Sequence, residues 1–299
     1  MQKKEDRVCI PMVLPSLPRW NFYLICQEKQ KAFPEKEILE LFKKINSLQM
    51  TRPLLNQLFT FQLDIFFPED TLIPYFKNYF QSEAFYIPEF LSYEIIPPLK
   101  AGSIGLNNSL NDTHKNVPLL IHELMHVLMG KKMKLLFYDN CQKPRSLQQE
   151  AVGVFLGELG ASFQGVMAEI ELKDPELVKS ERLKLLNQMY KDPENTSFFM
   201  HRMYQHAMEQ VVDRTTILLR TSDVPVQQSS NISVINEMLN GIFFPEEIEH
   251  LRPSLNKKIK QVYHIVDVLE RYHRWEKEDK KTCDALSPLL KFKGGGYSL

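Results

Sequence analysis

Residues 117–130 of this 299-residue chain read VPLLIHELMHVLMG. The segment is apolar on both sides of a short polar motif, a buried setting that excludes water. Pro118 suits the first turn of a helix and Gly130 suits its end. The segment therefore predicts one helix over about 117–129, and from here to its C-terminal tail the chain is predicted to be helical.

Residues 122–126 within this helix form an HExxH motif. His122 and His126 are four residues apart and therefore lie on one face of the helix. Two neutral imidazoles in this arrangement can bind one tetrahedral zinc ion. Glu123 lies beside the metal without being forced to bind it, and can take a proton from a zinc-activated water. The motif predicts one Zn²⁺ per chain, with Glu123 as the catalytic base.

A third protein ligand is required, because two histidines do not make a stable catalytic zinc site. The extended metzincin pattern is excluded, since it needs glycine and histidine where this chain has Met129 and Lys132. The other common arrangement uses a glutamate on the next helix, where Glu150 falls in the first turn and Glu158 two turns later. We favour Glu150 and keep Glu158 as the second candidate. Asp139 and a distant histidine complete the alternatives.

That next helix begins at a capping box, the segment Ser146-Leu147-Gln148-Gln149, and is predicted over about 147–172. It contains Gly153, Gly157 and Gly160. Each glycine costs a helix roughly 1 kcal/mol. We expect the close approach of a neighbouring backbone to offset that cost, and the HExxH helix is the natural neighbour.

The rest of the chain predicts an α+β fold. An N-terminal α/β lobe over 1–145 ends in the HExxH helix, and a helical lobe over 146–299 provides the third zinc ligand. The segment 103–107 is expected to be a strand, because Ile104 and Leu106 alternate with smaller or polar residues. The predicted strands are 22–26, 59–67 and 103–107, and the other predicted helices are 35–48, 70–80, 175–190, 197–220, 232–239 and 255–275.

Composition excludes several classes of protein. Lysine plus arginine equals aspartate plus glutamate, 37 each, so the charge gives no argument for nucleic-acid binding. No apolar run reaches the ~18 residues of a membrane span, and no signal peptide is apparent. The four scattered cysteines indicate free thiols in a reducing compartment. We expect a soluble protein, either cytoplasmic or delivered into a host cell by a signal-peptide-independent secretion system.

The motif and the order of elements resemble the gluzincin zinc metallopeptidases. Locally, residues 122–128 are most similar to the clostridial neurotoxin light chains and to bacterial effector metalloproteases. The resemblance implies a zincin-like fold and an endopeptidase that hydrolyses a protein or peptide substrate. In the peptidases that the motif resembles, the edge strand of the sheet lies shortly before the HExxH helix, so the resemblance implies that the strand over 103–107 is the edge, with Gly105 allowing a peptide substrate to approach. Two departures stand out. Val154 or Ser162 occupies the place of the aspartate that gluzincins often carry after the zinc glutamate, and no arginine is followed three residues later by tyrosine.

Attack on a peptide carbonyl develops negative charge, which a further side chain must stabilise. Residues 201–206 read HRMYQH, a dense run of suitable groups. Its candidates are His201, Arg202, Tyr204 and His206, of which we select His201 and Tyr204. The alternative is that this run is an ordinary helix surface.

Two other functions stay open. One is an iron-dependent oxygenase that uses the same two histidines and a carboxylate. The other is a non-catalytic metal-binding protein. The presence of Glu123 argues against the second, because a purely structural zinc site needs no base beside its ligands.

Overall fold

The computed structural model of the chain describes residues 8–16, 18–27, 32–58, 60–74, 83–87, 102–140, 143–191, 198–226 and 232–292. The side chains at 8–9, 198–199, 232–233 and 282–292 lie outside that description. Within the described residues the fold is α+β, as predicted, and mostly helical with one small mixed sheet.

Five short strands form the sheet. Two of the predicted strands, 22–26 and 103–107, are confirmed, whereas the one over 59–67 starts only at Leu63 because Arg52–Leu58 is helical. All six residues of the central strand Leu63–Pro68 are buried, as is typical of a parallel strand that is covered on both faces. The strands are β1 (Val8–Val13), β2 (Trp20–Cys26), β3 (Leu63–Pro68), β4 (Ala84–Tyr86) and β5 (Ser103–Leu106).

The strand order is β1-β2-β3-β5-β4. Strands β2, β3 and β5 are parallel, and β1 and β4 pair antiparallel on the two sides. The prediction that 103–107 is the sheet edge is therefore wrong, because β5 lies between β3 and β4. Gly105 makes room for a side chain of β4, since a Cβ there would lie 2.1 Å from Cζ of Phe85. Among the described strands, β4 is the edge on this side.

Eight α-helices are described. The predicted short helix over 70–80 appears as a 3₁₀ turn, Asp70–Leu72, and residues 75–80 lie outside the described part of the chain. A second 3₁₀ turn, Pro175–Leu177, leads into α5. The helices are α1 (Glu35–Ser47), α2 (Arg52–Leu58), α3 (Thr113–Phe137), α4 (Leu147–Lys173), α5 (Val178–Tyr190), α6 (Phe198–Thr221), α7 (Ile232–Leu239) and α8 (Pro245–Phe292).

Helix α3 carries the HExxH motif and is longer at both ends than predicted. Its start is set by Asp112, whose side chain accepts a hydrogen bond of 3.2 Å from the Lys115 backbone N–H. Gly130 does not end the helix. A Cβ at Gly130 would lie 3.5 Å from the hydroxyl oxygen of Tyr86 on β4, so this glycine borders the ring of an edge-strand residue.

Helix α4 begins as the capping box predicted, because the Ser146 hydroxyl accepts a 3.1 Å hydrogen bond from the Gln149 backbone N–H. It is apolar enough to cross a membrane by length and composition, but 78% of its most apolar window is buried inside the chain. That burial is consistent with the core helix of a soluble protein.

The glycines of α4 show how it lies against α3. A Cβ at Gly153 would meet the side chains of Met133 and Phe137, and one at Gly157 would meet Met129. Residue numbers therefore rise on α4 as they fall on α3, so the two helices are antiparallel. This confirms α3 as the neighbour at these two glycines, although the contacting atoms belong to side chains. The third predicted glycine, Gly160, faces Ile242 instead.

One continuous apolar core joins the inner face of the sheet to the helices on both sides of residue 146. A much smaller cluster, formed by Ile25, Phe66, Leu72 and Ile87, covers the other face of the sheet. The division into lobes over 1–145 and 146–299 remains a prediction.

Candidate metal centre

The two motif histidines meet on one face of α3, as their spacing predicts. The Nε2 atoms of His122 and His126 are 2.9 Å apart, and their ring planes are nearly perpendicular. Their side chains are 22% and 17% exposed. Both rings therefore present the same nitrogen to a partly covered space beside the helix.

Glu158, and not Glu150, joins the two histidines. Its Oε2 lies 3.9 Å from Nε2 of His122 and 3.6 Å from Nε2 of His126. The three ligand atoms all lie within 4.8 Å of one another, close enough to hold one metal ion. The glutamate that we kept as the second candidate thus occupies the position of the third ligand.

Glu150 has a different environment at the far end of α3. Its Oε1 accepts a 3.0 Å hydrogen bond from the Tyr138 hydroxyl and a 2.8 Å ion-paired bond from Nε of Arg214 on α6. Its side chain is 1% exposed. The preference for Glu150 as ligand is corrected on these grounds, because its carboxylate joins α4 to α6 rather than to the histidines.

The packing of α4 against α3 explains why Glu158, and not Glu150, lies beside the histidines. Gly153 lies beside residues just before Tyr138, whereas Gly165, further along α4, would place a Cβ 3.5 Å from Cβ of His122. The stretch of α4 opposite the histidines therefore lies several residues after Gly153. Glu158 falls in that stretch and Glu150 does not.

The donor set fits a zinc ion. Oε2 of Glu158 is buried and has no hydrogen-bond partner among the described residues, and a cation bound beside it would offset the cost of burial. Two imidazole nitrogens and one carboxylate oxygen are the ligand types that catalytic zinc sites use. A tetrahedral ion with bonds of ~2.0 Å separates its ligand atoms by about 3.3 Å. The three separations between the ligand atoms, 2.9, 3.6 and 3.9 Å, bracket that value.

The site keeps the histidines neutral. Burial, together with the neighbouring His126, lowers the pKa of His122 to about 3. Burial, with a smaller contribution from His206, lowers the pKa of His126 to about 4. At neutral pH both rings are therefore uncharged, the state in which imidazole binds a metal.

Glu123 lies next to this group and is 7% exposed. Burial and the nearby Glu158 carboxylate raise the pKa of Glu123 well above its usual value, while a hydrogen bond from the Tyr86 backbone N–H acts in the opposite direction. The ring of Tyr86 is also parallel to the ring of His126, with 6.4 Å between centroids. The edge strand β4 therefore contacts both the base and a ligand of the candidate site.

Helix α6 brings a different pair of residues to the site from the pair that we selected. Tyr204 is buried, and its hydroxyl donates a 3.2 Å hydrogen bond to the Met189 carbonyl, while His201 is exposed. His206 instead places Nε2 3.5 Å from Oε2 of Glu158, and Arg202 lines the adjoining cleft.

Helical periodicity accounts for this outcome. Arg202 and His206 are one turn apart and share a face of α6 with Met203, another residue of the cleft. His201 and Tyr204 form the equivalent pair on a different face. The selection failed because the sequence does not show which face of α6 packs toward α3 and α4.

The other candidate ligands lie elsewhere. The carboxylate of Asp139 accepts a 2.9 Å hydrogen bond from the Lys143 backbone N–H within its own turn. The ring of His250 stacks on Tyr190. Neither residue belongs to the metal-binding group found among the described residues.

A cleft of about 460 Å³ opens beside the site. It runs from the start of β4 across the faces of α3, α4 and α6, and it is wide enough for a peptide side chain. Its walls combine apolar residues with charged groups at the rim. The lining residues are Glu83, Ala84, Pro118, Leu119, His122, Glu123, Ser162, Gly165, Val166, Glu169, Arg202 and Met203.

No family model, curated protein or solved structure matches this chain. The resemblance to gluzincins therefore depends on the motif residues and the order of the elements.

Proposed function

We propose that the chain is a zinc-dependent endopeptidase of the gluzincin type, with His122, His126 and Glu158 as its zinc ligands. The observation that carries the proposal is the buried, unpartnered Oε2 of Glu158 beside the two motif histidines. A helix surface with two ordinary histidines gives no reason to bury a carboxylate there. A zinc ligand gives that reason directly.

The gluzincin assignment is supported by where the third ligand comes from. Glu158 lies on the helix that follows the HExxH helix, and the two helices pack antiparallel. The sheet adds an antiparallel edge strand, β4, against the HExxH helix at Tyr86. Both features agree with the zincin-like architecture that the motif resemblance implies.

Glu123 supplies the base. Zinc, when bound, makes a water acidic and polarises the scissile carbonyl. The Glu123 carboxylate would accept the proton that such a water releases and would pass it to the departing amine. The Tyr86 N–H bond fixes the carboxyl against the edge strand, so the base is already oriented.

Substrate binding is assigned to β4 and the adjoining cleft. As the outermost described strand, β4 borders this cleft, and an extended peptide that adds to the edge of the sheet would lie here. This replaces β5, whose two sides are occupied by β3 and β4. Ala84 and Glu123 both line the cleft, so a peptide paired at β4 would pass the base.

The test combines metal content with activity. Zinc per chain is measured by mass spectrometry after dialysis, and hydrolysis is measured on a pool of fluorogenic peptides. Glu123→Gln should retain zinc and lose activity about 10²–10⁴-fold, because the change deletes the base but no ligand. Glu209→Gln, an exposed carboxylate on α6, is the matched control. A Glu123→Gln variant that cleaves at the wild-type rate would exclude the mechanism.

The same measurements separate the alternatives. Bound iron together with dioxygen consumption would favour the oxygenase, and bound zinc without hydrolysis of any peptide would favour a non-catalytic metal protein. If hydrolysis is found, N-terminal proteomics of a lysate treated with wild type and with Glu123→Gln would identify the cleavage sites.

A further inference from the structure

His206 is the histidine nearest to the candidate carboxylate ligand. Its Nε2 lies 3.5 Å from Oε2 of Glu158, compared with 3.6 Å for His126 and 3.9 Å for His122. All three imidazoles present the same nitrogen to the same oxygen. The nearest of them comes from α6, outside the HExxH motif.

The site therefore has three well-covered ligands and one that can move. The side chains of His122, His126 and Glu158 are between 12% and 22% exposed, whereas that of His206 is 48% exposed. The ring nitrogens of His206 are not among the ligand atoms that all lie within 4.8 Å of one another, which belong to His122, His126 and Glu158. A side chain with half its surface in solvent can cover the remaining distance by rotating about its own bonds.

We propose that His206 is a fourth protein ligand of the metal, which makes the resting site a closed centre of three histidines and Glu158. The inference rests on the proposed metal site, but not on peptidase activity. Catalytic zinc sites keep one position open for water or substrate. A bound His206 fills that position, so it must leave before a peptide can be hydrolysed.

A simpler role must be distinguished from this one. His206 could contact only the carboxylate of Glu158, as an outer residue that orients a ligand. Loss of such a residue weakens metal affinity about 10–100-fold, so affinity alone does not separate the two roles. The number and type of ligands on the metal itself distinguish the two roles.

The experiment uses cobalt(II) in place of zinc, because its visible spectrum responds to the number and type of ligands. Wild type and His206→Ala are loaded with cobalt, and His201→Ala, an exposed histidine on the same helix, is the control. We expect the spectrum to change in His206→Ala alone, and free imidazole to restore it. Identical spectra in wild type and His206→Ala would overturn the inference.

A crystal structure of the zinc-loaded wild-type protein gives a readout that does not depend on any variant folding. Nε2 of His206 should lie about 2.0–2.1 Å from the ion. An ion held by His122, His126, Glu158 and a water would overturn the fourth ligand and leave the proposed function intact. A wild-type chain that binds neither metal would overturn the proposed metal site itself.

Discussion

Two exchanges of glutamate for glutamine on α4 should affect different properties of the protein. Glu158→Gln should weaken zinc binding, whereas Glu150→Gln should lower stability. Glu158→Gln removes a candidate ligand, and Glu150→Gln removes one partner of a buried ion pair. The two residues share a helix and a charge, and their side chains are 12% and 1% exposed. Each variant is therefore the control for the other.

The expected loss of zinc affinity in Glu158→Gln follows from the number of ligands. Binding of about 10–16 kcal/mol, divided over four ligands, gives roughly 2.5–4 kcal/mol for one ligand. That corresponds to an affinity that is about a hundred- to a thousand-fold weaker. The metal-free protein should be at least as stable as wild type, because burial already raises the pKa of Glu158 and the exchange replaces this carboxyl with a neutral amide of the same shape.

The expected loss of stability in Glu150→Gln follows from burial. Arg214 is 11% exposed and donates to this carboxylate over 2.8 Å, so the exchange removes a negative charge from beside a buried cation. Removing one partner of a buried ion pair costs about 3–5 kcal/mol. In a chain of this size the melting temperature should fall by about 5–8 °C, while zinc affinity stays near the wild-type value.

Both quantities are measured on the same preparations. Zinc affinity comes from competition with a chromogenic chelator, and stability from thermal unfolding in the presence of a strong chelator. The reasoning is refuted if folded Glu150→Gln loses zinc while Glu158→Gln retains it. That outcome would return the third ligand to the residue that the sequence favoured.

Two further predictions concern the fold. Gly105→Ala should destabilise the protein by about 1–3 kcal/mol, because its Cβ would overlap the ring of Phe85. Gly157→Ala should stabilise it by up to ~1 kcal/mol, because the new Cβ would lie within a helix at an ordinary contact distance of 3.7 Å from Met129. Urea unfolding measures the stability of both glycine variants, and equal changes in the two would contradict this packing. Burial raises the pKa of Tyr204 to about 12 from 10.0. The unfolded chain therefore loses this proton first, and between pH 10 and 12 stability should fall by about 1.4 kcal/mol per pH unit from this group. Tyr204→Phe should flatten that dependence without affecting peptide hydrolysis near pH 7, and a large loss of hydrolysis there would restore the catalytic role that we first assigned to it.

Local rules worked where the deciding interaction lies within a few residues of sequence. The capping box at Ser146 starts a helix because the hydroxyl and the N–H that it binds are three residues apart. The HExxH spacing brings two imidazoles together because four residues complete about one turn. The strand at 103–106 was found from its own alternation of residues. None of these features needed information from elsewhere in the chain.

Local rules failed where two distant elements had to be placed against each other. The sheet edge was assigned to β5 from the resemblance to known peptidases, and the strand that takes the edge instead, β4, pairs with β5 over only three positions. The wrong face of α6 was chosen because four of the six residues of HRMYQH are chemically suitable and they lie on more than one face of the helix. Tyr86 acts on Glu123 through its backbone N–H, a group that every residue except proline carries.

The sequence by itself determined that two imidazoles and a carboxyl group lie within five residues, on one helix whose periodicity brings the imidazoles together. Tertiary structure alone decided which carboxylate completes the group, because Glu150 and Glu158 are equivalent candidates until α4 is placed along α3. That placement depends on side chains fitting beside Gly153, Gly157 and Gly165, contacts between residues far apart in sequence. Packing of this kind sets the register between helices, and no spacing within one segment encodes it.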